Sequence, residues 1–317
     1  MANDTRKTYL YTSEKIDGPW KKQLIEGFYH DGSLLFDEDG RNYIVYGNDE
    51  IWITELNEDL TAPKKDGLHR LLVSDHKNPE LGYEGSHIQK INGYYYIFLI
   101  HSLRDRWMRT EACFYSDSLE GEFTGGDVLC DDRGYCGQGV AQGGIVDTPD
   151  GKWYAMLFQD SGAVGRIPIL LPVTWKDHFP FFGQNGHVPE EIEVHSTRPG
   201  YIYQPLVGSD DFCNGLLPRW QFNHDPDPRY YHLDALQGTY TITTREVCTE
   251  LTQAVNTLTQ RMSYPSCAAE VTVDASALKE GDVAGLCALQ GCYAAVGITK
   301  HHGKYEVLMP VSYTHLR

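Results

Sequence analysis

Three polar residues stand at one fixed distance ahead of three turn glycines. Asp31 precedes Gly40 by nine residues, Glu84 precedes Gly93 by nine, and Gln142 precedes Gly151 by nine. Each lies at the head of a short strand-like run: HDGSLLF, EGSHIQK and QGGIVDT. Two carboxylates brought to one place can divide acid and base work. One stays protonated to donate to a leaving oxygen and the other acts as base or nucleophile, which is what cleavage of a glycosidic bond requires. Taken singly, each acid has a plainer reading: Asp31 as a turn aspartate bonding its own backbone, Glu84 as a solvated surface acid. The shared register sets them apart, as do Gly32 and Gly85, which directly follow them and allow close approach to the backbone. Gln142 reads either as a satisfied polar residue on an inner strand or as a contact to a sugar hydroxyl. His30, beside Asp31, is a further candidate sugar contact. Arg166 serves equally as an ordinary ion-pair partner or as a ligand contact.

The elements that must position these residues repeat along the chain. DEDGRNYIVYG (37–47), INGYYYIFL (91–99) and TPDGKWYAMLF (148–158) each read as a hairpin turn running into a strand, with their glycines 53 and 58 residues apart. Asn92-Gly93 between two strand-like runs is a strong hairpin signal. TYLYTSEKIDGPW (8–20) and CFYSDSLEGEF (113–123) share a second plan, a strand, a polar turn, then a glycine followed two residues later by Trp20 or Phe123. A unit of roughly 50 residues built of short strands, without alternating helices, predicts a β-propeller. Inner strands of such blades line one channel, so matched positions on them converge. The texture changes around residue 208. GTYTITT and AAEVTVDAS alternate as half-buried strands do, so the reading is all-β: a propeller over 1–207 and a partial β-sandwich over 208–317. The chain opens in mid-pattern and SYTHLR continues no alternation, so both ends are expected to be truncated, with the first blade largely missing.

Bulk composition narrows the partners. The chain holds 31 Gly, 15 Pro and 21 Tyr, which suits many turns and strands, and its net charge of -17 with pI near 5.1 argues against a polyanion partner. Neutral or cationic ligands are expected, with no nucleic acid and no membrane, and aromatics at 12% suit flat neutral rings such as the sugars of a small oligosaccharide. No apolar run approaches a membrane span. No signal peptide is visible, which favours the cytoplasm, subject to the truncated N-terminus. The eight cysteines include no C-x-x-C. They read as buried free thiols, with Cys130/Cys136 or Cys287/Cys292 as the disulfide alternative. No cofactor is expected. Calcium has faint hints at Asp37, Asp39 and Gly40, and at Asp225 and Asp227, where plain turns are the simpler reading; His301-His302 hints at a metal as faintly. No G-x-S-x-G, Walker loop or H-E-x-x-H occurs. The oligomeric state is not legible.

These motifs in combination resemble glycoside hydrolase family 43, propeller glycosidases of five blades that act on pentose sugars. HDGSLLFDEDGRNYIVYG is similar to a family motif whose aspartate, here Asp31, tunes and orients the acid. YEGSHIQKINGYYYIFL is similar to the next, whose glutamate, here Glu84, is the general acid. AQGGIVDTPDGKWYAMLF and GRIPILLPVTW resemble the two that follow, and Arg166 matches an arginine that contacts the sugar. LPRWQFNHDPDPRYYHLD resembles the start of the β-sandwich module of family xylosidases and arabinofuranosidases. The resemblance implies an inverting hydrolase of α-L-arabinofuranosides or β-D-xylosides from hemicellulose. It departs in two places. The family's general base, an aspartate of the first blade, has no match in 1–20, where Asp4 and Asp17 lack its motif. Many members also carry a histidine tied to calcium or water where this chain has Gln142. A chain lacking the base is expected to turn over poorly, so a propeller that holds a sugar without cutting it is the alternative. A protein-interaction propeller is a third reading, which the inward-facing acids oppose.

Overall fold

A computed structural model of the protein describes residues 6–312 except 195, 197, 264 and 265. The chain divides into two compact units, Met1–His195 and Ser196–Arg317.

The first unit is built of antiparallel meanders. β1 (Thr8–Thr12) pairs with β2 (Lys21–Ile25). Three four-stranded sheets follow. The first runs β3 (Ser33–Phe36), β4 (Asn42–Asn48), β5 (Glu50–Leu56) and β6 (His69–Ser74); the second β7 (Glu84–Ile91), β8 (Tyr94–Ser102), β9 (Arg109–Ser116) and β10 (Thr124–Leu129). The third runs β11 (Ala141–Asp147), β12 (Trp153–Asp160), β13 (Arg166–Lys176) and β14 (Phe179–Phe182). Strand order equals chain order in each sheet, and β7 contacts both β3 and β11. The first strands of successive sheets therefore meet, as blades around a channel require. The repeat read from the glycines is the repeat of the sheets. Gly40, Gly93 and Gly151 occupy the three hairpin turns at φ of 82°, 85° and 77°, and Asn92 at 50° completes a turn that needs left-handed backbone.

β8 shows why YYYIFLI carries no alternation. Tyr95, Ile97 and Leu99 join a core with Tyr43, Val45, Ile51 and Ile53 of the preceding sheet. Tyr96 and Phe98 join a second core with Ile145, Ala155, Leu157 and Leu171 of the following sheet. Both faces of the strand are buried, so apolar side chains are required at every position.

Charge also ties two sheets together. Asp37, in the β3–β4 turn, accepts Lys90 Nζ from β7 at 2.6 Å and Tyr95 Oη from β8 at 2.5 Å. Asp39 is engaged by Arg41 at 2.7 Å. Both acids of the faint calcium loop are thus taken up by cations.

The second unit holds β15 (Gln221–Phe222) paired with β18 (Leu258–Thr259), and β16 (Tyr231–Asp234) paired with β17 (Thr239–Ile242). A four-stranded sheet combines β19 (Val283–Gln290), β20 (Cys292–His301), β21 (Lys304–Leu308) and β22 (Val311–Ser312). Asp227 accepts two hydrogen bonds from the Arg229 guanidinium, at 2.9 and 2.7 Å, and one from its backbone amide at 3.2 Å, and these hold its carboxyl at a pKa of about 2. All eight cysteines are free, but only Cys113 is buried, which corrects the expectation of buried thiols. Neither alternative disulfide forms; the hairpin pairs Cys287 with Ala295 and Cys292 with Gln290. Among the described residues no helix is long and apolar enough to cross a membrane.

The Asp37 cluster yields a stability prediction. Burial alone raises the Asp37 pKa, but hydrogen bonds from Lys90, Tyr95 and the Glu38 amide outweigh it and leave the folded pKa lowered. The stabilisation is therefore present above the ordinary aspartate pKa and is lost as pH falls through the folded value. Asp37→Asn is expected to cost about 2 kcal/mol near neutrality, below the 3–5 of a fully buried pair because Lys90 is partly exposed. Urea unfolding of both proteins at pH 7 and at pH 3 checks this: the difference between them is expected to shrink at the lower pH.

Candidate active site

The head of each inner strand carries left-handed backbone: Asp31 at φ 44°, Gly85 at 65° and Gln142 at 65°. In two of the three sheets the ladder slips there as well, between Glu84 and His87 on β7 and between Ala141 and Gly144 on β11. Such bulges re-aim side chains beside a site. Here they turn the strand heads toward one another. Ser86 Oγ crosses between sheets to donate to the Asp31 carbonyl at 2.9 Å and to the Val45 carbonyl at 3.1 Å. Gly47 N–H donates to the His30 carbonyl at 3.0 Å, anchoring the loop that carries His30 and Asp31.

The two acids converge. His30 Nε2 lies 3.6 Å from Asp31 Oδ2 and 3.5 Å from Glu84 Oε2, and the three side chains each present an atom within 4.8 Å of the others. Their side chains are 30%, 31% and 22% exposed, partly wet and reachable by a ligand. Asn48 Nδ2, at the end of β4, donates to Glu84 Oε2 at 2.6 Å. A cavity of about 260 Å³ adjoins them, walled by Asp31, Gly32, Gly85, Ser86, His87 and Gln142. It falls below the roughly 300 Å³ at which drug-sized pockets begin and suits a single sugar ring. His87 faces this cavity; desolvation pushes its pKa down against the opposing pull of Asp31.

Arg166 lies apart from the cavity wall, at the start of β13. Its side chain is 62% exposed, with Nε 3.3 Å from Asp160 Oδ1 and its guanidinium 4.4 Å from the Phe158 ring centre. The ion-pair reading of this residue is thus realised. Asp160 and Phe158 are shared with Arg109, whose guanidinium pairs with Asp160 Oδ2 and lies 4.9 Å from the same ring. Arg109 is buried. Burial lowers its pKa, opposed chiefly by Asp160, and Glu84 and Glu111 also act on its charge.

Asp31, Glu84, His30 and Gln142 are therefore gathered as expected. Asn48, His87, Arg109 and Glu111 were not anticipated. The last two carried a signal: two charges in RTEACF, beside Ala, Cys and Phe, are unusual in a strand unless each has a dedicated partner. Asn48 and His87 carried none, because strand-end polar residues are common.

Known proteins share this fold. The model of glycosyl hydrolases family 43 matches residues 1–180. The chain belongs to this family. The beta xylosidase C-terminal concanavalin A-like domain matches residues 209–315, assigning the second unit's strands to that β-sandwich type. A solved family 43 structure described as a bifunctional GH43-CE of Bacteroides eggerthii is 40% identical, with TM-score 0.82, over 97% of this chain and 40% of that one. A beta-xylosidase of Formosa agariphila is 25% identical over 92% of this chain and 59% of its own length. A xylosidase/arabinosidase 43B of Humicola insolens is 26% identical over 88% of this chain and 55% of its own. The family 43 chain thus spans a little over half the length of the curated relatives it matches.

Gly85 provides a test of the packing. A Cβ built there meets the Gln142 side chain at 2.6–2.7 Å, and the backbone is left-handed. Gly85→Ala is expected to cost about 1–2 kcal/mol, the penalty of that backbone for an L side chain, and to displace Gln142. Denaturant midpoints read the first effect and a crystal structure of the variant the second.

Proposed function

We propose that the chain's propeller is the sugar-cleaving unit of a glycosidase that removes terminal pentose residues, α-L-arabinofuranosyl or β-D-xylosyl, from hemicellulose oligosaccharides by inversion. One observation carries the reading: Glu84, Asp31 and His30, from the heads of two adjacent inner strands, meet within 4.8 Å beside a cavity of one-ring size. Glu84 gives its proton to the glycosidic oxygen as the bond to the anomeric carbon breaks. A water then bonds to that carbon from the opposite face, losing a proton to a base. Asp31 and Glu84 are too close to act as that pair, because an inverting pair stands roughly 6.5–9.5 Å apart to admit the water. Asp31 is accordingly the orienter, holding the acid through His30, and the base is a third group. Gln142 and His30 take hydroxyls of the sugar, with Arg166 at the rim. The relatives named for xylosidase and arabinosidase activity favour this substrate class.

The second reading is a propeller that holds a pentose without cutting it. It is favoured by the same short separation, which leaves Glu84 and Asp31 unable to complete the chemistry alone.

Hydrolysis of 4-nitrophenyl β-D-xyloside and α-L-arabinofuranoside separates the two, with calorimetric titration of xylose and arabinose alongside. For an active chain, Glu84→Gln is expected to lower kcat by roughly 10²–10⁴ with the aryl pentosides. Proton NMR of the first-formed sugar is expected to show the inverted anomer. Binding without turnover would select the second reading, and neither binding nor turnover would sink both.

A further inference from the structure

One carboxyl group of the first unit is sealed from water and has no part in the chemistry above. Glu111 on β9 is 0% exposed. Its Oε2 accepts the Gln142 backbone N–H at 2.6 Å, and its Oε1 is buried with no hydrogen-bond partner. Burying such a group is costly unless the bond it makes is needed. Its place on the ladder indicates what the bond is for. Glu84 faces Ile100 across β7 and β8, and Ile100 faces Glu111 across β8 and β9. Glu111 thus stands in the same row as Glu84, two strands outward, and reaches across to the first strand of the next sheet.

The backbone it holds there is strained. A left-handed non-glycine residue costs about 1–2 kcal/mol and persists only where its surroundings over-determine it. Gln142 is such a residue, at φ 65°, and the β11–β12 register skips it. Its amide is satisfied by the Glu111 carboxyl instead. The Gln142 side chain then lies over Gly85, the residue directly after Glu84.

We propose that Glu111 is a positioning residue of the pocket: its hydrogen bond to the Gln142 amide holds Gln142 in the left-handed turn and so sets the Gln142 carboxamide in the cavity wall beside Glu84. Its consequence for sugar binding rests on the pentosidase reading; the grip on the backbone does not. Burial pushes the Glu111 carboxyl well above the usual carboxylate range, against the opposing effects of the Gln142 amide and Arg109. An uncharged carboxamide of the same shape is therefore the conservative replacement.

The test uses the 1–317 chain labelled with 15N-glutamine, as wild type, Glu111→Gln and Glu111→Leu. Amide hydrogen exchange at Gln142 is followed, with Gln89 and Gln159 on β7 and β12 as internal controls. The expected result is a slow Gln142 amide in the wild type and in E111Q. In E111L it exchanges roughly tenfold faster or more while the controls hold, a local opening. A Gln142 amide that exchanges freely in the wild type, or equally slowly in E111L, would overturn the proposal. Should E111L not fold, Glu111→Asp withdraws the carboxyl by one methylene, and unchanged exchange there is equally fatal. Xylose and arabinose titrations form a separate arm, with affinity expected to fall several-fold in E111L and to return in E111Q. If the wild type binds neither pentose, the pentosidase reading falls, and the exchange comparison still decides the role of Glu111.

Discussion

The constraint on which the rest depends is that each inner strand must begin with its backbone turned left-handed. Asp31 and Gln142 share this conformation at matched places, and in the sheet between them it falls one residue later, on Gly85. It is unfavourable for an L residue and is held only where neighbours supply compensating bonds. Here the neighbours are the adjacent sheets. Ser86 holds the Asp31 carbonyl, Gly47 holds the His30 carbonyl, and Glu111 holds the Gln142 amide. The heads of β3 and β11 are thus each held by a residue of a neighbouring sheet, Ser86 and Glu111. The pocket is consequently a property of the packed sheets rather than of any one hairpin.

Charge is distributed in keeping with that arrangement. The acids at the channel are partly wet, at 22–31% exposure, and among the described residues their side chains meet His30 and the Asn48 amide at close range. Other acids of the first unit are neutralised: Asp37 by Lys90, and Asp160 by Arg109 and Arg166; within the second unit Asp227 pairs with Arg229. In this chain of net charge -17 the carboxylates of the site have no bonded lysine or arginine among the described contacts. A neutral sugar is compatible with such a site, whereas a phosphorylated or polyanionic ligand would meet repulsion.

Several elements were legible without coordinates. The three hairpins announced themselves because a left-handed turn demands Gly or Asn, and those residues recur at Gly40, Asn92-Gly93 and Gly151. Asp31, Glu84 and Gln142 followed from counting back the same nine residues from each turn glycine. The partners of Arg109 and Glu111 were hidden because Asp160 and Gln142 belong to the next sheet, tens of residues away. Burial of thiols was misjudged for the same reason: Cys130 and Cys136 sit in an exposed connection whose packing no local pattern encodes.

By itself, then, the chain's order of residues determined the all-β class, the repeat and the identity of the converging acids. These depend on short-range requirements: turn chemistry, strand length and the burial of β8 on both faces. Only the tertiary structure decided that His30 stands between Asp31 and Glu84, that this pair is too close to flank a water, and that Arg166 is tied to Asp160 rather than free. Those are distances between sheets, set by how blades pack around the channel, and no spacing along a single strand contains them.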